Sequence, residues 1–382
     1  MRTSELEYDF DPSLVATTPA TPRDSARMMV VDRARGTIDH RHVRDLPSLL
    51  RRGDQLLLND TSVLRARVRV RDPLNGRESE GLLLSPCAEP HRWRMLLRQS
   101  KRFAPETVLS LVDHDGHERD DALVLIARDD DAWIVDVRAG KLGGDVAEIL
   151  ERSGHTPIPP YIRKAREAHS ITVSDDLDRS EYETVYANRM DRGSVAAPTA
   201  GFHFTDALLD TLANGGIGRA NITLHVGAGT FKPVDTETLA AHAMHSESFT
   251  IPAATIALLE TLAVPRVRGE ARIVAVGTTT VRALESLPSR LPTALDVNHA
   301  VNHAVNHAVN HAAYHANTSI LIAPGFEFRF VDALITNFHL PRSTLLALVG
   351  AFAGMELMHE AYRIAVRERY RFYSFGDAML IL

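Results

Sequence analysis

Disulfide chemistry is excluded at the outset, because Cys87 is the single cysteine and has no intramolecular partner. The N-terminal stretch MRTSELEYDFDPS carries acidic residues where a secretory leader needs an apolar core. Together these features predict a cytoplasmic protein. Long apolar runs are also missing: the longest uncharged one, Ser343 to Met355, falls well short of the ~20 residues of a membrane helix. Lysine is scarce, with only Lys101, Lys141, Lys164 and Lys232 among 43 basic residues. That bias fits coding preference better than guanidinium-specific contacts and carries no functional weight. The net charge of −6 means that a nucleic acid would have to be held by a local basic surface rather than by the overall field. There is no P-loop, HExxH, CxxC pair, GxSxG elbow or Rossmann GxGxxG, since Gly227-Ala-Gly229 lacks a third glycine.

What is present is an ordinary folded composition, 45% hydrophobic and 24% charged over 382 residues. That length predicts two domains, or one large domain with an insertion. Arg27 to Asp32 reads as a strand and Arg33 to Gly36 as the turn of a hairpin. Asp45 to Gly53 reads as a short helix stopped by glycine, and Gln55 to Asn59 as a buried strand ending in Asn59-Asp60-Thr61. Arg65, Arg67, Arg69 and Arg71 alternate with apolar residues, so a strand there puts the four guanidinium groups on one face as a candidate phosphate-facing stripe. From Val68 to Val137 five short apolar runs separated by polar turns predict an inserted β-barrel or sandwich. Strand-like runs such as Arg272 to Gly277 then alternate with helices such as Ala351 to Arg369, which predicts a mixed α/β architecture.

One segment has low complexity. Val-Asn-His-Ala recurs from Val297, followed by Ala313-Tyr-His-Ala316, so His299, His303, His307, His311 and His315 would line one face of a helix. That spacing suits a Zn²⁺ or Ni²⁺ ion. Against it, Val, Asn and His are poor helix formers, and tandem tetrapeptides are what a tolerated loop insertion looks like.

Five polar blocks sit at the ends of apolar runs, where scaffolds usually place function. Gly193 to Thr205 is rich in small residues and contains His203; it is either a binding loop with a base or a tight turn before a helix capped by Thr205. Thr223 to Pro233 contains a Gly-Ala-Gly-Thr turn flanked by His225 and Lys232, an anion cradle or a plain glycine hairpin. In His242 to Glu247 an extended chain puts His245 and Glu247 on one face, able to move protons or hold hydroxyls, or else to form an exposed strand edge. Val276 to Glu285 follows a strand and opens a helix, so its amides and Thr278 to Thr280 suit an anion or a ribose. Ile335 to Thr344 places His339 and Arg342 in a loop before an apolar helix.

Taken together, the blocks resemble the S-adenosylmethionine:tRNA ribosyltransferase-isomerase family of queuosine biosynthesis. The resemblance rests on Pro22-Arg-Asp24, Leu58-Asn-Asp-Thr61, Ser100-Lys-Arg102, Pro159-Pro-Tyr-Ile162, Tyr182-Glu-Thr-Val-Tyr186, Val195-Ala-Ala-Pro-Thr-Ala-Gly201, His225-Val-Gly227, Met244-His-Ser-Glu247, Gly277-Thr-Thr-Thr-Val-Arg282, Thr336-Asn-Phe-His-Leu-Pro-Arg-Ser-Thr344 and Tyr373-Ser-Phe-Gly-Asp-Ala-Met379, in colinear order. It implies a large mixed α/β, barrel-like catalytic domain over residues 1–67 and 145–382. A small β-barrel domain is inserted at 68–144, and the His/Asn insertion occupies 292–317. The implied reaction transfers and isomerises the ribosyl moiety of S-adenosylmethionine to 7-aminomethyl-7-deazaguanine at the tRNA wobble position, giving epoxyqueuosine, adenine and methionine. S-adenosylmethionine is then a substrate, no cofactor or metal is implied, no membrane is involved, and the protein is a monomer or weak homodimer.

On the same resemblance, His203 is the expected general base or acid, with His245, Glu247 and His339 as alternates. Thr278, Thr279 and Arg282 are expected to hold ribose hydroxyls or the methionine carboxylate. Asn59, Asp60, Thr61, Pro198, Thr199, Gly201, His225, Gly227, Gly229 and Asn337 are the remaining expected substrate contacts. Arg23, Arg65, Lys101, Arg102, Lys232 and Arg342 are expected to meet tRNA phosphates. The sequence departs from the family pattern in the repeat, at Thr18-Pro19, at Ser248 and at Ala323, where aromatic or basic residues are usual. A paralogue that binds RNA or S-adenosylmethionine with altered or lost transferase activity is the rival reading.

Overall fold

The computed structural model describes residues 1–89, 91–227, 234–292 and 313–382. Nine strands build the large sheet: β1 (Arg27–Asp32), β2 (Thr37–His42), β3 (Gln55–Asn59), β13 (Gly218–Leu224), β14 (Glu247–Pro252), β15 (Ile273–Val276), β16 (Ala313–Thr318), β17 (Ala333–Asn337) and β18 (Ala378–Ile381), in the order β16-β14-β13-β3-β15-β17-β18-β1-β2. Strands β13, β3, β15 and β17 run parallel to one another, and antiparallel strands flank them. A parallel core must be covered on both faces, and the side chains divide accordingly. Met29, Val31, Leu57, Ile273 and Ala275 pack under the helices Ala253–Val267, Thr278–Glu285, Thr344–Ala353 and Met355–Arg367. Met28, Val30, Leu56, Leu58, Val274 and Val276 face the helices Leu46–Leu49 and Asp206–Asn214. The period-2 alternation of each strand therefore builds two cores at once.

The barrel comprises β5 (Arg67–Arg71), β6 (Glu78–Pro86), β7 (Arg92–Leu97), β8 (Val108–Val112), β9 (Glu118–Asp129) and β10 (Ala132–Arg138), closed by pairing of β5 with β8. Val68, Val70, Leu83, Met95, Leu109, Leu111, Leu123, Leu125, Trp133 and Val135 fill it. The five apolar runs read from the sequence are five of these strands. β11 (Gly154–His155) pairs with β5, and the short strands β4 (Ser62–Val63) and β12 (Arg192–Ser194) pair with each other. The expected mixed α/β architecture with an inserted barrel is the one the chain adopts.

Three local expectations need correction. The arginine stripe is not free: Arg67 lies 3.7 Å from Glu80, Arg69 3.6 Å from Glu78 and Arg71 3.6 Å from Glu118, so neighbouring strands neutralise it. Ala351 to Arg369 is two helices, because Gly354 at φ +88° ends one and starts the next, a conformation costly for any residue with a Cβ. The last histidine unit is strand β16, where His315 Nδ1 lies 2.9 Å from Thr250 Oγ1 across the β14 pairing. His299, His303, His307 and His311 lie outside the described residues. Among the described residues no helix is long and apolar enough to cross a membrane.

Trp133 is fully buried in the barrel, with Arg128 over its ring at 4.0 Å. Trp133→Ala is expected to cost about 4 kcal/mol, from lost transfer energy and the cavity left behind, read as a lower urea midpoint.

Candidate active site

The four parallel strands end at one edge of the sheet, at Asn59, Leu224, Val276 and Asn337. Asn59 ties three of the segments there. Its Nδ2 donates to Leu224 O (3.0 Å) and Thr279 Oγ1 (3.3 Å), and its Oδ1 accepts from Leu224 N (2.9 Å) and Thr61 N (3.2 Å). With its hydrogen-bonding capacity spent inside the protein, Asn59 is a brace and not a ligand contact.

Above these ends lies an open cleft of about 680 Å³, including the solvent at its mouth. Pro198, Thr199 and Ala200 line it from one loop, Gly277, Thr278 and Thr279 from the start of a helix, and Thr336 to Leu340 with Ser343 from the loop after β17. Tyr161, Val226, Tyr373 and Ser374 complete the wall. Of the three threonines, Thr280 turns away and donates to Val276 O, which leaves Thr278 and Thr279 for the cleft. Thr199 Oγ1 donates to Asn337 Oδ1 at 2.8 Å, and Asn337 Nδ2, although buried, has no partner. Tyr161 and Ser374 hydroxyls meet at 2.6 Å, and the Tyr161 and Tyr373 rings pack at 4.8 Å. Tyr373 adopts φ +68°, and its buried hydroxyl has no partner. Such a backbone outlier persists only where its surroundings over-determine it. No carboxylate, guanidinium or ammonium lines the cleft among the described residues.

His339 is the cleft's imidazole. Its Nε2 lies 2.8 Å from Thr336 Oγ1, its carbonyl accepts from Tyr8 Oη (2.6 Å), and its amide donates to Tyr362 Oη (3.0 Å). Desolvation in the cleft wall pushes its pKa down to about 3. Burial likewise raises the Tyr161 and Tyr373 hydroxyls, with the neighbouring Tyr161 and Tyr362 adding to the effect at Tyr373.

Several expected site residues stand elsewhere. His203 is buried behind the loop, its Nδ1 3.1 Å from Ala200 O and its Nε2 3.0 Å from Gly376 O, and it does not line the cleft. Burial lowers its pKa, and both ring nitrogens face backbone carbonyls of the loop and of Gly376. His245 is exposed, whereas Glu247 is buried, pairs with Arg282 and accepts from Gly227 N at 3.2 Å, so the two do not act together. Arg282 is committed to Glu247 and to Ile320 O, away from the lining. Asp60 accepts from Thr223 Oγ1 at 2.7 Å, and burial raises its pKa. Thr61 Oγ1 meets His225 Nδ1 at 2.9 Å, while His225 Nε2 faces Asp191 at 3.6 Å; burial outweighs Asp191 and lowers the His225 pKa. Gly201 sits under Tyr186, where a Cβ would fall 1.9 Å from the phenol oxygen. Gly229 and Lys232 lie outside the described residues.

Among the expected phosphate contacts, Arg23 spends its guanidinium on the carbonyls of Ser180, Glu181 and Glu183. Arg65 is buried against His114 and Glu151. Lys101 and Arg102 are exposed on a barrel turn, and Arg342 is partly exposed beside the cleft residue Ser343, 3.5 Å from Glu7. Tyr161, Tyr373 and Ser374 are not among the expected site residues, because two aromatics and a lone serine read as core packing and a turn.

A sheet whose parallel strands present a cleft at their C-terminal ends belongs to the class of α/β folds that bind a ligand at that end of the sheet. The family model described as "Queuosine biosynthesis protein" matches residues 3–381. A relative in Rubrobacter xylanophilus is 43% identical over 382 residues, covering 100% of this chain and 98% of its own. One in Thermotoga maritima is 41% identical over 382 residues, covering 100% of both. Both are named S-adenosylmethionine:tRNA ribosyltransferase-isomerase. The crystal structure of S-adenosylmethionine tRNA ribosyltransferase from Thermotoga maritima matches with a TM-score of 0.50 and 33% identity, over 99% of this chain and 100% of that one. The chain belongs to the queuosine biosynthesis protein family.

Because His339 stays neutral in the fold, the unfolded chain alone takes up its proton below the ordinary value of 6.5. Stability therefore falls as pH drops from about 6.5 towards 3. From pH 7 to pH 5 this group accounts for about 2 kcal/mol, so His339→Gln should lose correspondingly less stability over that interval in urea unfolding.

Proposed function

We propose that the protein is an S-adenosylmethionine:tRNA ribosyltransferase-isomerase. In this reading it transfers and isomerises the ribosyl group of S-adenosylmethionine to 7-aminomethyl-7-deazaguanine in tRNA, forming epoxyqueuosine and releasing adenine and methionine. The observation that carries it is the convergence of three separate polar blocks, Pro198 to Ala200, Gly277 to Thr279 and Thr336 to Ser343, on one cleft. The names of the relatives agree with it.

The chemistry follows from the substrate. A sulfonium acidifies the adjacent C5′ protons and is itself a leaving group, so the protein must supply a base, an acid for adenine and a positioned, dry pocket. His339 is the cleft imidazole that relays the proton from C5′ to the departing adenine; its lowered pKa favours the second half of that relay, delivery of the proton, over the first. Asn337 Nδ2, fixed through its oxygen by Thr199, donates to a purine ring nitrogen as charge develops there. The first amides of the helix at Thr278 and Thr279 receive the methionine carboxylate, as helix N-termini receive anions. The tRNA amine then attacks the ribose, and methionine leaves as the epoxide closes. No cofactor is needed for these steps. Lys101 and Arg102 on the barrel and Arg342 beside the cleft supply phosphate contacts, in the cytoplasm where tRNA is available.

Incubation with S-adenosylmethionine and tRNA carrying the deazaguanine base should release adenine and methionine one for one; S-adenosylhomocysteine in their place would mean methyl transfer and refute the proposal. Removing a preorganised donor typically costs about 100-fold in kcat. Asn337→Ala is therefore expected to lower kcat by about that factor while leaving tRNA binding unchanged in a filter-retention assay.

A further inference from the structure

Three segments meet where the barrel joins the body. His114 lies in the β8–β9 turn, His155 ends β11, and Asp175 opens the helix Asp175–Glu181. One donor atom from each lies within 4.8 Å of the others. His155 Nδ1 is 3.6 Å from Asp175 Oδ1, His114 Nδ1 is 3.9 Å from Asp175 Oδ2, and the two imidazoles pack edge to face at 4.5 Å. These separations are too long for hydrogen bonds. The two distances to Asp175 lie about 0.2 and 0.5 Å above the ~3.4 Å that separates ligands held ~2.1 Å from a tetrahedral zinc ion.

The surroundings leave the ligand positions open. Asp175 Oδ1 accepts from Thr156 N at 3.0 Å and faces Arg67 at 3.8 Å, whereas Oδ2 is buried with no partner. His155 is 8% exposed, and its Nε2 also lacks a partner. Arg65 Nη1 stands 2.9 Å from His114 Nε2 and would have to yield when Nδ1 binds a metal; Glu151 O at 3.3 Å and Glu151 Oε2 at 4.0 Å from this guanidinium are its alternative partners. The His114 side chain is 34% exposed, which gives an ion an entry path and water a fourth coordination position.

We propose that His114, His155 and Asp175 bind one divalent transition-metal ion of the zinc class, clipping the β-barrel to the body. None of the three lines the cleft, so the site is independent of the transferase chemistry.

The test is zinc titration of the full chain by calorimetry, comparing wild type with His114→Ala and Asp175→Asn. Any zinc taken up by the repeat histidines is common to all the proteins compared, so the difference between them is the readout. Each variant should bind one equivalent fewer, and the zinc-induced rise in thermal midpoint should shrink. His114→Cys, which restores a ligand, should regain the equivalent. His114→Ala alters a partly exposed ring, and its far-ultraviolet circular dichroism without metal should match wild type, which separates lost ligation from misfolding. An unchanged zinc count in His114→Ala would overturn the proposal. Adenine release is unaffected by either result, so the proposed function stands or falls separately.

Discussion

The parallel pairing of β13, β3, β15 and β17 is the constraint on which the site depends. Parallel strands must all finish at the same edge, so residues far apart in sequence, from Asn59 to Asn337, are delivered to one place by backbone hydrogen bonding alone. Asn59 fixes that edge by holding Leu224, Thr279 and Thr61 at once. Because both faces of these strands are buried, the edge is braced from both sides and can carry loops that hold a ligand.

Among the described residues the cleft is nearly free of formal charge. Its polar groups are hydroxyls, an amide, a neutral imidazole and the open amides at a helix start, set among tyrosines and small residues. The charged groups near it are spent on structure. Glu247 and Arg282 neutralise each other beneath the Gly227 loop, and His203 holds Ala200 from behind. A cationic sulfonium in such a pocket meets fixed dipoles rather than a counter-ion. That environment suits a reaction in which the positive charge must disappear with the leaving group.

The sequence made the scaffold legible where the pattern was strong. The apolar runs Gln55 to Asn59 and Arg272 to Gly277 are central strands, and the alternating run around Val68 to Val137 is the barrel. Of the three polar stretches that line the cleft, Gly277 to Thr279 and Thr336 to Ser343 sit at strand ends, as glycine and threonine after an apolar run suggest. Side-chain roles were less legible, because a histidine in a small-residue loop looks the same whether it faces in or out. His203 and Arg282 have the residue types of a catalytic site, yet tertiary packing turns both to structural partners. Conversely, Tyr161 and Tyr373 read as ordinary core aromatics until the fold brings them to the wall. The arginine stripe failed as a phosphate surface for a similar reason: its neutralising glutamates lie on strands that no local pattern links to it.

The proposed function seats the sulfonium substrate among the loops at the shared strand edge. A crystal structure of the protein with S-adenosylmethionine bound is the decisive measurement. The adenine is expected against Thr199 and Asn337 and the methionine carboxylate at Thr278 and Thr279. A ligand seated elsewhere, with this cleft empty, would contradict it.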